Sequence, residues 1–345
     1  MKSEKVHLIS YESLIDKICK LLEKMGTPQK ISQIVAEIVV NADLTGHSTH
    51  GINAFLLCLE EVENHLIDPK AEPVIIQRNN IGIWMDGCKG FGHYAAYLAA
   101  KEACIEAKLK GIANVWIKNT NNIGRLGEYV EMMASNGCIG IAMCGTGNVS
   151  KDATVCLPNT IKRLLGTNPI AFAFPLNDYE KFVIDLSTSS IPFHKIHKAR
   201  LCKENLIPGV LVDKLGKQTI NPEDYYTGGA ITLTGGYKGL ALSLMVSILS
   251  GLSLERLNGK EVGGVFLQAI QLDQIDQSTD YQHTVKNFLH SLRNSSTESD
   301  HIRLPGDSSS VLRKKYMKEG IPIKIGLLRK INNYLHRTQK SLLVK

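Results

Sequence analysis

The feature that most restricts the fold of this chain is a change in the period of its apolar residues. Leu14, Ile15, Ile18, Leu21 and Leu22 share one face of a helix predicted over Tyr11–Lys24. Pro28 opens a second helix, with Ile31, Ile34, Val35, Ile38, Val39 and Ala42 at helical spacing, that stops at Gly46. A third starts near Asn53, carries Phe55, Leu56, Leu59, Val62 and Leu66, and is closed by Asp68-Pro69. From about residue 80 the period shortens. Runs rich in β-branched residues predict strands at Ile112–Ile117, Ile139–Met143, Ile170–Phe174, Phe182–Leu186 and Val265–Leu272. Helices are predicted between them over Tyr94–Lys110, Gly127–Ser135 and Leu240–Leu249, and the chain turns helical again from Ser308. The order is therefore helices, then α/β, then helices. At 345 residues the chain is long enough for two lobes or one large α/β unit.

Composition narrows the function classes. A net charge of +7 is mild for this length, and basic and acidic residues are interspersed, so no basic stripe points to nucleic acid. No apolar run approaches a membrane span, and MKSEKVHLIS lacks the apolar stretch of a secretion signal. The 8 cysteines are scattered without a CxxC pair, which argues for a reducing compartment and against a disulfide framework or structural zinc. A cytoplasmic enzyme with no nucleic-acid or membrane partner and no bound metal is the expectation.

No GxGxxG follows a strand, so the usual dinucleotide fingerprint is absent. Gly87-Cys88-Lys89-Gly90-Phe91-Gly92 reads as a tight turn before a helix. Thr234-Gly235-Gly236-Tyr237-Lys238-Gly239 is a flexible loop feeding a helix, where backbone N–H groups and a lysine suit a phosphate, although an ordinary loop has the same look. Gly46-His47-Ser48-Thr49-His50-Gly51 holds two histidines three residues apart. On a helix that spacing would suit a metal, and a metal-dependent hydrolase is one reading, but no third ligand is in register. A loop histidine flanked by glycines is better suited to carry a proton near neutral pH. The other histidines are isolated or on polar faces and receive no role. There is no GxSxG elbow and no cysteine in a nucleophile motif.

Taken together, five segments resemble the malate/L-lactate dehydrogenase-like family, which includes ureidoglycolate, sulfolactate and diketogulonate oxidoreductases. They are Ala42 to Gly51 (ADLTGHSTHG), Gly166-Thr167-Asn168-Pro169-Ile170, Ile184-Asp185-Leu186-Ser187-Thr188, Tyr237-Lys238-Gly239, and Arg303-Leu304-Pro305-Gly306, in the family's order along nearly the whole chain. The resemblance implies an α/β fold that is not a Rossmann fold. It has a mixed-sheet cofactor lobe (76–307) and a helical lobe formed by both chain ends (1–75 plus 308–345). It also implies a homodimer using NAD or NADP on a small 2-hydroxy or 2-oxo acid. Carried over by position, His50 is the proton donor and acceptor, with Asn122 at the second catalytic position and His47 and Arg125 on the substrate side. Thr146, Ile184, Asp185, Leu186, Ser187, Tyr237, Lys238, Gly306, Asp307 and Ser308 fall at cofactor positions.

Three departures accompany the resemblance. Asn122 stands where the family usually has histidine, and asparagine can hydrogen-bond a carbonyl but cannot carry the charge. Ala54 stands where many members have an arginine for the substrate carboxylate, which removes a bidentate clamp. Leu157-Pro158-Asn159 replaces a Pro-Trp-Gly. Arg125, near Asn122, is the expected replacement for the missing positive charge. The alternative to an active dehydrogenase is a paralogue that binds cofactor and turns over poorly.

Overall fold

The computed structural model describes residues 5–145, 153–251, 264–275, 280–295 and 302–341. Thr146, expected at the cofactor, lies outside them. The chain begins with β1 (Val6–Ile9), α1 (Tyr11–Lys24), α2 (Gln29–Leu44) and α3 (Ile52–Glu63). Ser10 caps α1 by accepting the Ser13 N–H at 3.2 Å. The hairpin β2 (Val74–Asn79) and β3 (Gly82–Asp86) leads to α4 (Gly92–Lys110), β4 (Ile112–Lys118), α5 (Leu126–Ser135) and β5 (Cys138–Gly145). There follow β6 (Val155–Cys156), β7 (Arg163–Leu165), β8 (Ile170–Pro175), β9 (Lys181–Leu186), α6 (Phe193–Cys202), β10 (Leu211–Val212), β11 (Gln218–Thr219), α7 (Glu223–Tyr226), β12 (Ala230–Ile231) and α8 (Tyr237–Gly251). The last elements are β13 (Gly264–Gln271), α9 (Leu272–Ile275), α10 (Asp280–Arg293), α11 (Asp307–Glu319), β14 (Ile321–Lys324) and α12 (Ile325–Ser341).

A seven-stranded mixed sheet, in the order β2-β3-β4-β13-β5-β8-β9, forms the centre. β3 and β4 run parallel, joined through α4, while β13 is antiparallel to both β4 and β5 and separates them. The two faces are read from the period-two alternation of the strands. Val115, Ile117, Ala142, Val265 and Leu267 face α4 and α5, whereas Trp116, Met143 and Phe266 face Val246 of α8. α4 lies close to the sheet because Ala95, Ala99, Ala103 and Ala107, spaced four apart, bury a side of the helix that carries only methyl groups.

Both chain ends share a second core. Leu14, Ile18, Leu21, Val35, Val39, Phe55 and Leu59 from the first helices cluster with Ile321, Ile323 and Ile331 near the C-terminus. The two-stranded pairing of β1 with β14, Val6 opposite Lys324 and Leu8 opposite Pro322, fixes that junction. A third cluster, including Val155, Ile196, Leu211, Tyr225 and Ile231, supports a small five-stranded sheet in the order β11-β10-β12-β6-β7. No sequence signal predicted this sheet, because most of its strands are two residues long. Among the described residues no helix is long and apolar enough to cross a membrane.

Candidate active site

α2 ends at Leu44, and the chain turns back through Gly46, whose φ of +82° favours glycine. The turn is held by His47 N–H to Ala42 O at 2.7 Å and His50 N–H to His47 O at 2.8 Å, and α3 then starts at Ile52. The two histidines therefore lie in a turn and do not share a helical face. Among the described residues no group of three or more His, Cys, Asp or Glu is arranged to hold a metal. The His47 Nδ1 lies 3.2 Å from Thr45 Oγ1.

Strand β9 brings Asp185 to the same region. Its Oδ2 accepts the Gly127 N–H at the start of α5 at 2.8 Å and lies 3.4 Å from Arg125 Nε. Arg125 is 3% exposed and donates through Nη2 to Glu131 Oε1 at 2.6 Å, and Glu131 in turn accepts from Arg313 at 2.9 Å. The expected replacement cation is thus a buried guanidinium already flanked by two carboxylates. Its Nη1 has no hydrogen-bond partner among the described residues.

These charges act on both histidines. Burial pushes His50 below its ordinary pKa; Asp185 opposes that shift and Arg125 adds to it. His47 is also driven down, by burial first and Arg125 next, against Asp185. His50 keeps open surface all the same, so its neutral imidazole is reachable from outside. Asn122 is exposed, and its Oδ1 accepts the Gly124 N–H at 2.7 Å, leaving only its amide N–H groups to offer outward.

Two further histidines adjoin this group. His93, in the first turn of α4, is pushed down to about 4 by burial and then by His50. His194, at the start of α6, is pushed down to about 4 by burial, His50, Lys195, Lys198 and His47. His93 stands alone in the sequence, and His194, followed by His197 three residues on, lies in no motif that marked it.

The remaining expected positions fall in two groups. Gly306 packs on β9, where a Cβ would meet Val183 O at 2.7 Å, so Gly306, Asp307 and Ser308 adjoin the strand that carries Ile184, Asp185 and Leu186. Asp307 is occupied structurally, accepting from Arg293 Nη2 at 2.8 Å and Leu304 N at 2.9 Å, while Ser308 is exposed. Ser187 turns its hydroxyl to Ser189 Oγ and Thr167 O. The loop before α8 is tied to this turn by Thr234 N–H to Thr188 O at 3.0 Å, and it leaves Tyr237 79% exposed with Lys238 open beside it. Asn168 anchors α8 through Ser243 Oγ at 2.9 Å and Ser247 Oγ at 2.7 Å, which gives the Gly166–Ile170 segment a structural purpose.

A helical layer joined by both chain ends to a mixed sheet without a dinucleotide fingerprint, with a loop histidine beside a strand aspartate, marks a class of oxidoreductase apart from the Rossmann enzymes. A family model described as malate/L-lactate dehydrogenase matches residues 9–332, and the chain belongs to that family. It is 29% identical to the malate dehydrogenase of Pyrococcus abyssi, over 95% of this chain and 94% of that one. It is 30% identical to the malate/(S)-sulfolactate dehydrogenase of Methanothermus fervidus, over 94% of this chain and 96% of that one. Among solved structures, the sulfolactate dehydrogenase from Methanocaldococcus jannaschii superposes with a TM-score of 0.86 at 27% identity, covering 96% of this chain and 98% of that one. A putative malate/lactate dehydrogenase from E. coli gives a TM-score of 0.88 at 25% identity, covering 96% and 95%. The fold is the mixed-sheet, non-Rossmann α/β fold that the resemblance implied.

Proposed function

We propose that this protein is a nicotinamide-dependent oxidoreductase that interconverts a small 2-hydroxy acid and its 2-oxo acid, with NAD or NADP as cofactor. The reading rests on one observation above all. In a chain of this family, His50 is neutral, open on one side, and within the influence of both the Asp185 carboxylate and the Arg125 guanidinium. A neutral imidazole is a base for the substrate hydroxyl; Asp185 stabilises the imidazolium that forms, and Arg125 favours giving the proton back. In the reverse direction His50 protonates the carbonyl oxygen.

The chain's own residues suit a dinucleotide. Gly235 and Gly236, at φ +59° and +60°, precede the N-terminus of α8, and a Cβ at Gly236 would meet nothing within 4 Å, so the backbone there can be approached closely. Tyr237 and Lys238 offer an aromatic face and a cation beside it. When bound, the nucleotide supplies or takes up the hydride, chemistry that side chains cannot perform. Arg125 is buried, with Nη1 closed to solvent, so its charge bears on the substrate carboxylate from behind the surface, while the exposed Asn122 amide suits the substrate carbonyl. His47 lines the substrate side. The reading includes a homodimer, supported by the apolar residues Leu242, Leu244, Met245 and Ile248 exposed along α8.

The test is a fluorescence titration of purified protein with NADH and with NADPH, followed by a screen of 2-oxo acids with the wild type and His50→Gln. Saturable binding of one nucleotide, with turnover that falls at least about a hundredfold in the variant, is the expected result. A folded protein that binds neither nucleotide overturns the reading. Binding without turnover of any acid selects the cofactor-binding paralogue instead.

A further inference from the structure

Asp43 has no part in the reaction described above, yet its carboxylate is buried, at 7% exposure, with no ion-pair partner among the described residues. Such a group is costly to bury unless something specific holds it. Its Oδ2 accepts the N–H of Ile52, the first residue of α3, at 2.7 Å. Space requires glycine at the neighbouring position 51, because a Cβ there would overlap the Asp43 carboxyl group. Aspartate and glycine therefore fit as a pair, and they close the base of the turn that carries His47 and His50.

We propose that Asp43 is a positioning residue for His50, its carboxylate latching the N-terminus of α3 so that the His47–His50 turn is held at one place beside Asp185 and Arg125. Three contacts within the turn support this. Gly46 N–H to Asp43 O at 3.0 Å, His47 N–H to Ala42 O at 2.7 Å and His50 N–H to His47 O at 2.8 Å fix its upper part but leave its return to α3 free. The Asp43–Ile52 bond ties down that return one residue beyond Gly51, next to His50 itself. Burial pushes the Asp43 carboxyl up to about 7 against the opposing pull of the Ile52 N–H, and the protonated acid still keeps an oxygen that accepts that bond. The catalytic meaning of the latch rests on the reading of His50 as proton carrier; the latch itself does not.

The test compares Asp43→Ala with Asp43→Asn, whose amide oxygen can still accept the Ile52 N–H. Asp43→Ala is expected to lower kcat about ten- to a hundredfold with the KM for the nucleotide within about twofold, because small displacements of a reacting group have effects of that size. Asp43→Asn should restore most of kcat. Independently of activity, the His50 titration, followed by NMR and assigned with His50→Gln, should move up toward the ordinary histidine value in Asp43→Ala and stay depressed in Asp43→Asn. Asp43 is not among the charges that shift His50, so a change reads position and not charge. A folded Asp43→Ala with wild-type His50 titration and wild-type kcat overturns the proposal. If Asp43→Ala does not fold, hydrogen exchange of the Ile52 amide in the wild type decides. Protection of about a hundredfold or more supports the latch, and exchange at the rate of an open loop overturns it. If the wild type turns over no 2-oxo acid, the functional reading fails while the titration and exchange still decide on Asp43.

Discussion

His93 makes stability depend on pH in a way that can be worked out in advance. It lies in the first turn of α4 at 2% exposure, with Nδ1 lacking a hydrogen-bond partner among the described residues and with Gly124 packed against the other edge of the ring. Burial, with His50 second, lowers its pKa to about 4, against about 6.5 in an unfolded chain. The folded pKa is below the unfolded one. Between the two values the unfolded chain therefore binds the extra proton, and stability falls as pH falls through that window. Above about pH 6.5 nothing is lost; the linkage relation gives a loss of about 2 kcal/mol at pH 5, approaching about 3 kcal/mol below pH 4. Replacing His93 by Gln removes the titrating group. Urea unfolding of wild type and His93→Gln, at one protein concentration and at steps from pH 7.5 to 5, reads the effect as a free-energy gap between the two proteins. The variant is expected to be the less stable at pH 7.5, with the gap shrinking by about 2 kcal/mol by pH 5. His47 and His194 are lowered in the same direction, but both remain in the variant and cancel in the comparison. A gap that stays constant across the series would refute the reasoning, as would an NMR titration of His93 near 6.5.

Glu131→Ala removes the 2.6 Å partner of a guanidinium that is 3% exposed, and should cost about 3–5 kcal/mol in urea unfolding at pH 7.5; a loss under 1 kcal/mol would mean that Asp185 alone neutralises Arg125. Asp185→Asn removes the charge that holds the His50 pKa up, so His50 should titrate lower by NMR and kcat should fall at least about tenfold through poorer proton transfer. Ala99→Leu forces a larger side chain between α4 and the sheet, where Ala99 is fully buried, and should destabilise by about 1–3 kcal/mol with nucleotide affinity unchanged.

What the sequence made legible follows from the range over which each contact acts. The first three helices and strands β4, β5, β8, β9 and β13 were readable because their apolar residues repeat within the element itself. β2 was not: all six residues of Val74–Asn79 are exposed, so no alternation marks it. The junction of β1 with β14 joins residues about three hundred positions apart, and no local period names a partner at that distance. The site divides in the same way. His50 and Asp185 were marked by their motifs, whereas His93 and His194 adjoin them only through packing. Arg125 is the instructive case. Read along the chain it is a cation near Asn122, suited to replace the positive charge missing there. Its partner Glu131 lies six residues on, a spacing at which side chains on one helix do not meet, and the two meet because Arg125 precedes α5 and lies outside the helix. The second carboxylate, Asp185, comes from a strand sixty residues further along. A substrate carboxylate near Arg125 therefore feels a buried guanidinium with two acids already beside it, and the attraction it gains depends on how far Glu131 can be drawn toward Arg313 instead. Affinity for an acid substrate should accordingly weaken when Arg313 is replaced by Gln, although Arg313, on α11, is ion-paired among the described residues with Glu131 and not with Arg125's other partner. An unchanged KM for the best acid substrate in Arg313→Gln would show that Arg125 acts without that relay.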